Sequence, residues 1–114
     1  MDVAADAAGA IRTLNHLTIG GDGGIAWPSE LEQVVRSLAL LASRLPQALN
    51  QLARIGEDFA REPGLYDDRG SAPRRTIAHA STDLDVAIRA AHMLAAPLDR
   101  AASALSHLGL DRDD

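Results

Sequence analysis

The chain reads as an all-α protein: two long helices in an antiparallel hairpin, with a short helix ahead of them. Three observations carry that reading. Apolar residues recur at alternating steps of four and three over two long stretches. Aromatic residues make up only 3% of the 114 positions while hydrophobic residues make up 46%, and alanine is the commonest residue. A core of Leu, Ile, Val and Ala without rings suits helices lying close together better than a sheet sandwich. At this length the chain is one domain, 1–114.

The first element, within 1–19, is a short helix from Val3 to about Leu17 with Ile11, Leu14 and Leu17 as its apolar contacts. A glycine-rich segment, 20–28, comes next; it reads GGDGGIAWP and ends at the only tryptophan and a proline. A phosphate-binding loop of the P-loop kind needs a preceding strand and a Lys-Ser/Thr after its last glycine, and a calcium loop needs several acids at alternate positions. Here the upstream segment is helical, the chain has no lysine, and Asp22 is the only acid among the glycines. The segment therefore reads as a hinge. Trp27, near its end, either folds back to plug one end of the bundle or stands out as an anchor for a partner, a role in which tryptophan is enriched.

The first long helix, 29–61, carries Leu31, Val35, Leu38, Ala42, Leu45, Leu49, Leu52, Gly56 and Phe59, a heptad seam sustained for four repeats. A stripe of Val34, Leu41, Ala48 and Ile55 runs beside it. Ser29 and Glu32 fit an S-x-x-E capping box, worth ~1 kcal/mol, with Pro28 just ahead. Glu32–Arg36 and Glu57–Arg61 stand at ion-pair spacing on the wet side, and Pro63-Gly64 ends the run. The segment 62–80 is a charged, breaker-rich loop that reads as mobile, with Leu65 and Tyr66 against the end of the bundle and Asp67-Asp68 as solvated charge.

The second long helix, 81–109, repeats the design with Leu84, Ile88, Ala91, Ala95, Leu98, Ala102 and Leu105 as its seam. Ala87, Leu94, Ala101 and Leu108 form its flanking stripe, Ser81 or Thr82 its cap and Gly109 its stop. An acidic tail, 110–114, closes the chain. Pro46 and Pro97 fall inside the two long helices, where each costs ~3 kcal/mol. Measured from helix ends at Arg61 and Thr82, both lie equally far from the loop, so two kinks would come level. The other reading makes each proline the join of two shorter helices, with Ser43 capping the second of the first pair.

Several functions are disfavoured by composition. The net charge is −5, and the only basic doublet is Arg74-Arg75, which argues against nucleic-acid binding. All eleven basic residues are arginine, a mark of GC-rich coding. Without cysteine there is no disulfide or thiolate chemistry. No cleavable leader and no run of apolar residues long enough to span a bilayer is visible, so a cytoplasmic chain is expected, with leaderless secretion as the alternative. His16, His79, His92 and His107 never pair at i,i+3 or i,i+4, so no metal site is expected. No catalytic constellation or cofactor motif is present either, and the expected chain is not an enzyme.

The hairpin can satisfy its two seams internally, but the flanking stripes of four residues each still face outward. The expectation is a homodimer pairing as a four-helix bundle, with Val34, Leu41, Ala48, Ile55, Ala87, Leu94, Ala101, Leu108 and Trp27 at the interface. The short first helix would act as a flap or a swapped arm. A closed three-helix monomer is the competing architecture. Functionally this is a non-enzymatic interaction or adaptor protein; the alternatives are a secretion-associated hairpin paired with another helical subunit, and a ligand binder or enzyme with Asn50, Asp99 and Arg100 turned inward near the prolines.

The run RLPQALNQL from Arg44 to Leu52, then a charged loop and an Ala-rich helix ending in ALSHLG from Ala104 to Gly109, resembles small uncharacterised helical proteins of GC-rich actinobacterial type. That resemblance implies an all-helical fold and transfers no functional residue. The chain also resembles, in architecture alone, the exported helical hairpins that carry Trp-x-Gly in the turn between their helices. Here Trp27 precedes Pro28-Ser29 ahead of the first long helix, and Tyr66 is followed four positions on by Gly70 rather than an acid.

Overall fold

The computed structural model describes residues 2–21 and 23–112, and among them there are three helices and no strand. Helix α1 runs Val3–Thr18, α2 Pro28–Phe59 and α3 Pro73–Leu105. The two long helices form the antiparallel hairpin and pack along their length, whereas α1 makes no packing contact with either. A helix of 32 residues is about 48 Å long and one of 16 about 24 Å. The molecule measures 71 × 25 × 22 Å, so α1 prolongs the rod instead of folding back along it.

Local chemistry sets most of the helix ends. Asp2 caps α1, its Oδ1 accepting from the Ala5 amide at 2.9 Å. Both long helices start with proline in the first turn, where the missing N–H would be unpaired anyway. In α2 the N-cap is Trp27, not Ser29. Glu30 supplies the cap, its carboxylate accepting from the Trp27 amide at 3.1 Å and the Ala26 amide at 3.3 Å. The indole carries no acceptor and adds nothing to it. Glu32 instead pairs with Arg36 at 3.0 Å, as its spacing suggests, while Arg61 pairs with Asp58 and not with Glu57.

Proline at the start of a helix also corrects the loop. Helix α3 begins at Pro73, eight residues ahead of the expected 81. Ser81 and Thr82 are interior positions, the latter donating its hydroxyl to the Ala78 carbonyl at 3.0 Å. Pro73, a breaker by composition, is the first helical residue. At its other end α3 stops at Leu105, so Gly109 and Leu108 lie beyond it.

Pro46 and Pro97 both sit inside unbroken helices, which removes the reading of four shorter ones. Pro46 lines a recess with His92, while Ser43 borders both that recess and the next, where Asp99 stands. Pro46 is buried in the seam and Pro97 is exposed.

The buried interior among the described residues is Ala39, Ala42, Pro46, Ala91 and Ala102. On α3 this matches the expected seam, with Leu84, Ile88, Ala95, Leu98 and Leu105 half-buried along it. On α2 the seam is turned by one row. Val35, Ala39, Ala42, Pro46, Leu49, Ala53, Gly56 and Ala60 face α3, and the expected Leu38, Leu45, Leu52 and Phe59 row is set to one side. Small side chains let the axes approach toward the ~8 Å end of the usual range, which a leucine row would hold apart.

Candidate interaction surface

The displaced leucines define the most conspicuous surface of the molecule. Grooves on one side of the hairpin are lined mainly by polar residues of α2, namely Glu32, Arg36, Ser43, Asn50 and Arg54, with Leu40 among them, against His92 and Asp99 of α3. The opposite side carries two adjacent rows of α2: Leu31, Leu38, Leu45, Leu52 and Phe59, and Val34, Leu41, Ala48 and Ile55. Beside them stand Ala80, Ala87, Ala90, Leu94 and Ala101 of α3, with Asp83 the one acid among them. Together the two α2 rows keep heptad spacing from Leu31 to Phe59, so the helix has a second seam, half-covered only at Val34 and Leu38.

Exposure of this side is large. Leu41 is 37% exposed, Leu94 49%, Ile55 51%, Leu52 54% and Phe59 55%. Of the expected interface residues, Leu41, Ala48, Ile55, Leu94, Ala101, Leu108 and Trp27 are exposed, and Val34 and Ala87 are partly covered by the hairpin itself. Leu108 belongs to the tail and not to the α3 stripe. The seven large apolar side chains gathered on this face, Leu31, Leu41, Leu45, Leu52, Ile55, Phe59 and Leu94, each stand 36–55% exposed, and exposed apolar surface collected on one side in this way marks a contact face.

Trp27 lies at the open end of the hairpin and does not plug it. The Arg112 guanidinium sits 4.6 Å from the ring centroid and donates to the Ala26 carbonyl at 2.5 Å. This clasp joins the C-terminal tail to the start of α2. Sequence reasoning missed it because the tail reads only as solvated charge; Asp113 and Asp114 of that tail lie outside the described residues.

The loop between the long helices is shorter and better tied than its composition suggests. Asp67 is nearly enclosed and accepts from the Arg69 amide at 2.8 Å, Arg69 Nη2 at 2.7 Å and the Thr76 hydroxyl at 2.5 Å. The side-chain hydrogen bonds from Arg69 and Thr76 hold its carboxyl well below the usual carboxylate range. Each donor is used within the loop or the first turn of α3, so this acid is an anchor for the chain.

In the glycine segment, Gly20, Gly23 and Gly24 take positive φ, and a Cβ at Gly23 would stand 2.8 Å from Thr18 Cγ2. Glycine is needed at Gly23 on both counts. Asp22 lies outside the described residues. Near the prolines, Asn50 shares the His92 recess, Asp99 sits in the neighbouring one and Arg100 lines neither; none of the three is buried and they do not converge. Among the described residues no group of three or more His, Asp or Glu side chains gathers as a metal site, and no helix is long and apolar enough to cross a membrane.

No protein-family model matches the chain, and neither the curated proteins nor the solved structures yield a match.

Proposed function

We propose that the chain is a non-enzymatic helical interaction protein that acts as a homodimer, its apolar faces meeting to form a four-helix bundle. One observation carries this reading: a second heptad seam on α2, exposed at every position except the half-covered Val34 and Leu38, lies beside the alanine stripe of α3. A twofold pairing of such faces is self-complementary, leucine rows meeting alanine rows, and leaves the polar grooves in water. The hairpin fully buries only alanines and Pro46, its leucine and isoleucine seam residues being half-covered, and completing the burial of each exposed leucine against a partner adds a part of the ~1.5–3 kcal/mol that full burial is worth. Association therefore supplies stability that the interior lacks.

Light scattering or sedimentation over a range of concentrations tests it. Wild-type protein is expected at twice the chain mass, and Leu41→Glu at the monomer mass with most of its helical signal retained. A wild-type chain that stays monomeric throughout, or a Leu41→Glu variant that stays dimeric, overturns the reading.

A further inference from the structure

We infer that α1 is an exchanged arm, seated on the loop end of the apolar face of a second copy of this chain; this rests on the dimer proposed above. Three features point to it. The helix touches neither α2 nor α3, yet Val3, Ala7, Ala10, Leu14 and Leu17 give it an apolar stripe of its own. A lone helix of its 16 residues is marginal in water, and Gly9 weakens it further. The face it would cover is most exposed at Leu52, Ile55 and Phe59, the end farthest from its own hinge.

Lengths then fix the arrangement. Two 71 Å rods laid antiparallel over their whole length cross near Arg36, at a rise of about 1.5 Å per residue. The open halves of the two hairpins pair with each other, Leu31 of one copy meeting Leu41 of the other. The loop half of each hairpin is left to the partner's arm, with Leu52 at the level of Ile11 and Phe59 at the level of Val3. Pairing the hairpins alone leaves both arms without a tertiary contact. The positive-φ glycines at 20, 23 and 24 let the arm turn its stripe toward the partner without disturbing either helix.

The chain has no cysteine, so single labels can be placed at will. Full-length Arg12→Cys and Gln51→Cys proteins, each carrying one nitroxide, are mixed and the distance between spins is read by pulsed resonance. Within one chain these positions lie about 40 Å apart along the rod, but across the exchanged dimer they are level, about 15–25 Å apart with the label arms included. Full-length Leu14→Glu, which alters no contact within the hairpin, is expected to raise the dimer Kd at least about tenfold. A short distance together with that weakening supports the arm. A persisting dimer with spins beyond about 40 Å, or with unchanged Kd in Leu14→Glu, overturns it and leaves the four-helix pairing standing. A monomeric wild-type chain removes both.

Discussion

Ala39→Leu separates the packing of α2 on α3 from the packing that hydrophobic spacing alone suggests. By spacing, position 39 is off the seam, and leucine there would add apolar surface at almost no helical cost. In the structure Ala39 is 2% exposed and faces α3 in a row of alanines. Leucine brings three further carbons into a contact set by methyl groups. Either the helices separate, loosening Ala42 and Ala91 as well, or the side chain takes a poor rotamer. Overpacking of this kind costs ~1–3 kcal/mol. At about 4–6 °C per kcal/mol for a chain of this size, Tm falls by roughly 5–15 °C. Circular dichroism melts at the lowest practical concentration, where self-association contributes least, are the assay. An unchanged or higher Tm would refute the alanine seam.

Pro97→Ala is expected to stabilise the chain by about 2 kcal/mol. It returns an N–H to an exposed helix interior at ~3 kcal/mol and gives back ~1 through the freer unfolded chain; a lower Tm contradicts this. Arg112→Ala removes the cation above the Trp27 ring, so Trp27 emission should shift and stability fall by about 0.5–1 kcal/mol. An unchanged spectrum would mean the clasp does not persist in solution. The loop anchor is acid-sensitive in a definite direction. Because the Asp67 pKa is lowered by folding, its stabilisation is complete above the unfolded value and is lost as pH falls below about 4. Exchange of the Arg69 amide, which donates to that carboxylate, should then quicken relative to an unstructured reference, and equal protection at about pH 5 and about pH 2 would contradict it.

The sequence holds the helical class, the antiparallel order and the breadth of the apolar faces, because a 3.6-residue period and turn-forming residues are local properties. It also holds the seam of α3, where the smallest and largest apolar residues alternate in one row. Proline misled at one boundary: Pro28 lies one residue from the expected start of α2, but Pro73, read as a breaker inside a loop, is the first residue of α3. The Arg112 clasp and the Asp67 anchor join residues distant in sequence or buried by a turn, and neither leaves a periodic trace.

Heptad spacing favours the Leu31, Leu38, Leu45, Leu52 and Phe59 row of α2, while the adjacent Ala39, Pro46, Ala53 and Ala60 row carries the smaller side chains. The tertiary structure made that choice, because two backbones gain most by approaching where the side chains are smallest. Leu38, Leu45, Leu52 and Phe59 were thereby turned away from α3 and Ala39, Pro46, Ala53 and Ala60 toward it. Spacing alone determined that apolar surface would remain outside a lone hairpin; only the packing of α2 on α3 decided that the larger side chains would be the ones left there.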